Sequence, residues 1–416
     1  MSTLPSSRRS QWPVWLCWLA MVLDGFDLVV LGPVIPTLIK SGDLGFNAVA
    51  ATFAATISLV GVGLGALFIA PLSDKFGRRK LLIACVAGFS LFTLAIAVAP
   101  DVTTFSVLRL LAGVGLGACL PAALAYMNDY APAGSGGKST TRTMTGYHVG
   151  AVATAFLAIL VIPNWRLMFI IGGVAGLVLL PFLWAKLPES LPGVVTKPGS
   201  AVGHSAGANR TGFRDLIHKP YPLVALGVAI ASFMGLLLVY GLNTWLPQLM
   251  AAAGYPVSTG LTLLLVLNVG AVAGLVLAGI LADRHGTRKV VLLWFGLSAV
   301  LLGALSIKIP NEFLLNAAVF VTGVFVFSSQ VLVYAWVGQL FPARLRGTAL
   351  GFAAGVGRLG AIVGPAVTGT LVATGAAYPA GFYVFAGAAV LAVAGLVLIP
   401  RATSPAMQEA VLEPAR

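Results

Sequence analysis

The sequence predicts an all-α membrane protein of twelve transmembrane helices, arranged as two pseudo-symmetric six-helix bundles. Three observations predict it. Of the 416 residues, 59% are hydrophobic and only 9% charged, against about 25% charged in an ordinary soluble domain. The apolar runs reach roughly 20 residues or more, the length of a helical span, and not the short alternating strands of a porin-like barrel. A ten-residue segment recurs in the second half of the chain at a constant offset. Together these exclude a soluble enzyme, a disordered chain and a coiled coil.

The twelve apolar stretches follow in order. The first, 13–39, comes after Arg8 and Arg9. It is longer than a signal-peptide core, carries Asp24 and Asp27, and is followed by no small-residue cleavage pattern, so it reads as a retained span. The second, 52–74, ends at the basic cluster of Lys75, Arg78, Arg79 and Lys80, and the third, 80–99, ends at Pro100-Asp101. The fourth, 103–128, carries Arg109, and the fifth, 141–163, ends at the turn signal Pro163-Asn164. The sixth is 166–186. Residues 187–220 are rich in Pro, Gly and Ser and carry His204 and His218; they read as a cytoplasmic connection. The remaining six stretches are 221–248, 257–282, 289–309, 313–340, 347–374 and 378–400. Twelve spans of this length need about 240 residues, leaving short loops. The predicted organisation is a bundle over 1–190, a linker over 191–220 and a second bundle over 221–416.

The formal net charge is +13, which in a soluble protein would suggest nucleic acid. With the N-terminus placed in the cytoplasm, 20 of the 25 Lys and Arg residues fall on cytoplasmic segments. Lys40, Arg166 and Lys308 fall outside, and Arg109 and Arg358 fall within spans. This asymmetry is the positive-inside pattern. It puts both termini in the cytoplasm and removes the nucleic-acid reading. Cys17, Cys85 and Cys119 lie inside apolar runs without paired spacing and read as packing residues, and the four scattered histidines form no ligand motif. No metal and no cofactor is expected.

The repeat supports the division into halves. Residues 71–80 read PLSDKFGRRK and 280–289 read ILADRHGTRK. Leu72, Asp74, Gly77, Arg79 and Lys80 recur as Leu281, Asp283, Gly286, Arg288 and Lys289, and upstream Gly61 and Gly65 recur as Gly270 and Gly274. Two parallel halves related by an axis along the membrane normal form one known plan of membrane transport proteins.

The segment Ala70-Pro71-Leu72-Ser73-Asp74-Lys75-Phe76-Gly77-Arg78-Arg79 resembles the loop between spans two and three of the major facilitator superfamily, with Ala70 in place of the leading Gly. A narrower resemblance is to the aromatic acid:proton symporter family. It rests on Asp24-Gly25-Phe26-Asp27 in span one and on Arg109 with Gly113, Gly115 and Gly117 in span four. It also rests on Arg346-Gly347-Thr348 and the run Gly355 to Ala361 containing Arg358 in span eleven. One difference stands at the end of span four, where Asp129-Tyr130-Ala131-Pro132 replaces the family's Glu-Tyr-x-Pro and Gly-Ser-Gly-Gly replaces its basic cluster. The resemblance implies the major facilitator fold and import of an aromatic carboxylate, of the benzoate or hydroxybenzoate type, together with a proton. A monomer in the lipid of the inner membrane is expected, and the absence of clustered His, Cys or nucleophile motifs predicts no enzymatic activity. The alternatives are a proton-coupled transporter of another organic anion and a non-transporting membrane sensor.

Charge inside a membrane is costly, so each such residue needs a partner or a task. Asp24 and Asp27 share a helix face, and helix rise places Asp27 and Arg109 at similar depth in the first half. These considerations assign proton coupling to Asp27 with Asp24 second, adjustment of both to Arg109, and anchoring of a carboxylate to Arg358. A fixed Asp27–Arg109 ion pair is the competing reading. Substrate-binding candidates are Arg358, Arg109, Phe26, Tyr334, Trp336 and Gln330; Tyr147, Trp245, Phe325, Ser328 and Ser329 are weaker ones. Trp245 also reads as an interfacial belt residue, and His148 as either a proton relay or a packing residue. Asp74, Gly77, Arg78, Arg79, Asp129, Asp283, Arg288 and Arg346 suit ion pairs that latch cytoplasmic helix ends. Gly61-x-Gly63 and Gly113-x-Gly115 match a loose dinucleotide fingerprint but lie within helical spans, which excludes it. The pairs Gly61/Gly65, Gly113/Gly117, Gly351/Gly355 and Gly360/Gly364 are expected to bring helices close together.

Overall fold

A computed structural model describes residues 12–130, 136–188, 216, 221–341 and 343–400. Nearly all of them are helical, and no strand occurs among the described residues. Among the described residues eleven helices are long and apolar enough to cross a membrane, and Thr145–Val161 is a shorter apolar helix. These match the twelve stretches in order. Most of the linker over 191–220, with His204 and His218, lies outside the described residues.

Two spans are interrupted where proline removes a backbone donor. Span one is Trp12–Val29 followed by Leu31–Ser41. The break falls where the missing N–H of Pro33 leaves the Val29 carbonyl without its helical donor. Span two runs as Ala48–Leu64, then a wider π turn at Gly65–Ile69 and a tighter turn at Ala70–Leu72. Pro71, which has no N–H, leaves the carbonyl of Leu67 without its α-helical donor there. Three helix starts are closed by short side chains. The Asn47 Oδ1, Asp101 Oδ1 and Asn311 Oδ1 atoms accept from the backbone N–H groups of Ala50, Thr104 and Leu314 at 2.8, 2.8 and 3.0 Å.

The chain divides into two compact units. The first comprises 1–28, 60–154 and 166–200; the second comprises 29–59, 155–165 and 201–416. In the first unit, spans three (Arg78–Ile96) and four (Val102–Tyr130) pack along one another. Span two presses closely on span four: a Cβ at Gly65 would lie 2.0 Å from the Val114 carbonyl oxygen, and one at Gly117 2.0 Å from that of Val62. In the second unit, span seven (Pro222–Ala252) packs on spans eleven (Ala343–Ala373) and twelve (Ala380–Val397). Span eight (Val257–His285) packs on span ten (Glu312–Leu340).

The sequence repeat is also a structural one. A Cβ at Gly274 would lie 2.1 Å from the Val324 carbonyl oxygen, which reproduces the contact of its counterpart Gly65. Gly77 and Gly286 adopt the same backbone conformation, with φ of 92° and 87°, a region that disfavours side chains. One glycine expectation is corrected. Gly360 and Gly364 do meet span seven, at the Phe233 and Leu237 carbonyl oxygens, but among the described residues no neighbouring atom lies within 4 Å of a Cβ at Gly351 or Gly355. Four residues per step keeps each pair on one face, but these two pairs do not meet the same neighbour.

Candidate functional site

In the first unit, Asp27 lies in the last turn of the first segment of span one and is 1% exposed. Its Oδ1 accepts a charge-assisted hydrogen bond from Arg109 Nη1 at 2.6 Å. The same guanidinium lies 3.3 Å from the Asp27 backbone carbonyl through both terminal nitrogens. Thr93, on span three, donates its hydroxyl to Asp27 Oδ2. Both carboxylate oxygens are therefore engaged, one by a cation and one by a neutral hydroxyl. Asp24, one turn earlier, is 2% exposed. Cys119 is within electrostatic reach of Asp24, Cys85 and Cys17, so three cysteines far apart in sequence gather at this level, all buried. No group of three or more His, Cys, Asp or Glu residues among those described has the geometry to hold a metal ion.

The Phe26 backbone carbonyl accepts from Thr154 Oγ1 at 3.0 Å. Its ring lies against span six, where a Cβ at Gly172 would be 2.6 Å from Phe26 Cε1. Here Phe26 packs helix against helix. His148 is buried, with its ring edge-on to Tyr147 at 5.2 Å.

In the second unit, Arg358 stands halfway along the 31-residue helix of span eleven and is half-buried. Its Nη1 donates to the Tyr240 hydroxyl on span seven at 3.1 Å. Tyr334, on span ten, is within electrostatic reach of Arg358, Tyr240 and Gln330. Gln330 is 4% exposed and lies against span seven, its Oε1 2.1 Å from where a Cβ on Gly235 would be. Three helices thus bring a guanidinium, two phenols and a carboxamide together. The structure does not bring Trp336 to this cluster. Six residues beyond Gln330, or roughly 9 Å along the helix, it lies under the Arg288 guanidinium at 5.8 Å. Phe325 meets the Trp294 ring at 4.9 Å, and Ser328 accepts from Trp294 Nε1 at 2.8 Å. Ser329 bonds its own helix at the Phe325 carbonyl. Trp245 is corrected from a belt residue to a core residue: it is fully buried, and its Nε1 donates to the Pro365 carbonyl at 2.9 Å.

Around the repeated loops, Arg79 Nη2 donates to the Trp184 carbonyl at 2.6 Å, and its guanidinium lies 5.5 Å from the Trp184 ring centroid. Arg78 and Arg288 are half-buried, while Asp283 and Arg346 are exposed. The backbones of Asp74 and Asp129 lie in helices Ser73–Phe76 and Val102–Tyr130; their side chains lie outside what is described.

The sequence model of the Major Facilitator Superfamily matches residues 17–277 and 263–414. The chain belongs to the Major Facilitator Superfamily. Among curated relatives, the gentisate transporter of Corynebacterium glutamicum is 34% identical over 406 residues, covering 96% of this chain and 90% of that one. The benzoate transport protein of Acinetobacter baylyi is 31% identical over 414 residues, covering 92% and 87%. Among solved structures, the inward-open form of the xylose transporter XylE from E. coli superposes with a TM-score of 0.75 at 18% identity. It covers 96% of this chain and 99% of XylE.

This superfamily member is a multi-pass membrane transporter and not an enzyme, as the sequence predicts. The resemblance carried by residues 70–79 and by the in-span charges holds. Two residues that sequence reasoning missed stand beside those charges. Thr93 gave no signal, because a threonine in a helix usually bonds its own backbone. Tyr240 was one aromatic among many in an apolar run.

Proposed function

We propose that this chain is a proton-coupled symporter that imports an aromatic carboxylate, of the benzoate or hydroxybenzoate type, by alternating access. The observation that carries this reading is Arg358: a guanidinium held halfway through a span by a phenol hydroxyl, with a second phenol beside it. A planar cation with fixed donors suits a carboxylate, and the flanking aromatic residues suit a ring. The gentisate and benzoate transporters among the relatives support the same class. Arg358 binds the carboxylate, with Tyr240, Tyr334 and Gln330 around it. Asp27, with Asp24 one turn below, takes up and releases the proton. A proton on Asp27 cancels its charge and releases Arg109, while loss of that proton restores the pair. Phe26 and Trp336 act from their packed positions, at the helix contacts and beneath Arg288.

Alternating access moves the bundles 1–190 and 221–416, joined by 191–220, as two bodies. The residues at the two repeated loops (Asp74, Gly77, Arg78, Arg79, Asp283 and Arg288), with Asp129 and Arg346, latch cytoplasmic helix ends. The protein works as a monomer in the plasma membrane with both termini in the cytoplasm, the side marked by the basic residues.

The test is uptake of labelled benzoate, 4-hydroxybenzoate and gentisate into vesicles holding the purified protein, under an imposed pH gradient. Accumulation that a protonophore abolishes is expected. No accumulation of any of the three, or accumulation indifferent to protonophore, overturns the reading.

A further inference from the structure

Two asparagines in the second unit are buried with an incomplete set of hydrogen bonds. Asn243 on span seven and Asn268 on span eight are 3% and 1% exposed. Asn268 Nδ2 donates to Asn243 Oδ1 at 3.1 Å and to the Leu264 carbonyl at 3.0 Å. This network fixes both amide orientations. Turning Asn268 over would face its oxygen to the Leu264 carbonyl, and turning Asn243 over would face two donors. What remains is one NH₂ group, Asn243 Nδ2, and one acceptor, Asn268 Oδ1, both buried and neither with a partner among the described residues.

Burying such groups unbonded is costly. A pair of apolar residues would pack there without that cost. A free donor beside a free acceptor is the complement of a hydroxyl, which accepts one hydrogen bond and donates another. The position adds a second observation. Asn243 is three residues from Tyr240, so the two share a face of span seven about 4.5 Å apart along its axis. Tyr240 in turn holds Arg358. The residue that holds the carboxylate anchor and the unsatisfied amide of Asn243 therefore stand one helical turn apart on span seven. Span one covers this stretch: a Cβ at Gly32 would lie 2.2 Å from the Asn243 carbonyl oxygen.

We propose that Asn243 and Asn268 form a hydroxyl-recognition subsite, which selects aromatic acids bearing a ring hydroxyl meta or para to the carboxylate. The inference rests on the reading of Arg358 as the carboxylate anchor. With the carboxylate on Arg358, the far side of the ring points along span seven to the amide pair once the outer segment of span one moves off. An ortho hydroxyl stays beside the carboxylate and does not reach it. A site built to bond a hydroxyl discriminates against ligands lacking one, because its own polar groups are then left unbonded.

The experiment measures kcat/KM for uptake of benzoate, 2-, 3- and 4-hydroxybenzoate by the full-length protein in vesicles. The ratio of hydroxylated to plain acid is independent of how much protein is folded. The 3- or 4-hydroxy acid is expected to exceed benzoate by at least about tenfold, with the 2-hydroxy acid close to benzoate. In Asn243→Leu and in Asn268→Leu the ratio is expected to fall toward one. A ratio near one in the wild type, or one that survives both substitutions, overturns the subsite. If neither variant folds, competition in the wild type between 4-hydroxybenzoate and 4-methylbenzoate decides: equal inhibition overturns it, strong preference for the hydroxyl supports it. Failure to take up any of these acids would instead overturn the parent reading of Arg358.

Discussion

Arg109 Nη1 stands 2.6 Å from Asp27 Oδ1, and both side chains are 2% exposed. A pair this deep is weak evidence for stability, since desolvation offsets much of the attraction. Breaking it is a different matter. Asp27→Asn leaves a buried cation without its counter-charge, which costs about 3–5 kcal/mol. We expect a lowered melting temperature in detergent and loss of proton-driven accumulation, with substrate exchange down a gradient retained. Adding Arg109→Gln to Asp27→Asn should recover stability but not accumulation. If the double variant accumulates substrate, the pair is a structural strut and Asp27 does not carry the proton.

Arg358 is tested by geometry more than by charge. Arg358→Lys keeps the cation but loses the planar fork and the fixed direction to Tyr240. Initial-rate measurements should show KM for the carboxylate raised about ten- to a hundredfold, since hydrogen bonds to charged groups contribute about 1.5–3 kcal/mol. Tyr240→Phe removes the neutral hydroxyl that accepts from Arg358, so its effect should be smaller, about tenfold or less. Equal KM values for wild type and Arg358→Lys would remove Arg358 from the site.

Much of this arrangement is legible in the sequence because charge is so rare there. Asp27 and Arg109 stand out of apolar runs, and the fixed rise of a helix puts them at one depth before any contact is known. Gly61 and Gly65, with their counterparts Gly270 and Gly274, are equally visible through the repeat, and each pair meets backbone on its neighbouring helix. Neutral partners are not legible in this way. Thr93, Tyr240, Asn243 and Asn268 are chosen by rotation of one helix against another, which composition does not encode. Trp336 shows the same limit from the other side. It is an aromatic residue on the same helix as Gln330, yet its place on that helix sets it under Arg288. Trp245 was misjudged because distance from a span's end says nothing about whether the side chain meets lipid or core.

Asp101 gives a prediction with a definite sign in pH. It lies just before span four, outside the membrane, where the Thr104 backbone N–H bonding its carboxylate holds its pKa below the ordinary value. A lowered folded-state pKa contributes stability above the unfolded value, and that contribution disappears as pH falls through the folded one. Asp101→Ala should therefore lower the melting temperature at pH 7 and make little difference near pH 2. Melting curves of both proteins at the two pH values check this. An equal deficit at both would mean that packing, and not the ionised cap, is what the substitution removes.

The two glycine pairs of span eleven predict opposite outcomes for the same change. At Gly360 an added Cβ would lie 1.9 Å from the Phe233 carbonyl oxygen, which is backbone and cannot swing aside. Gly360→Ala must push spans seven and eleven apart, and overpacking of this kind costs about 1–3 kcal/mol or more. At Gly355, five residues earlier on the same helix, no neighbouring atom among the described residues lies within 4 Å of an added Cβ. There alanine adds helix propensity without a clash, a gain of up to about 1 kcal/mol. Thermal melting in detergent should rank the proteins Gly355→Ala, wild type, Gly360→Ala. The same order in uptake is not expected: if a neighbour meets span eleven at Gly355 during the cycle, Gly355→Ala will be stable and slow. A stable, fully active Gly360→Ala would refute the close approach of spans seven and eleven.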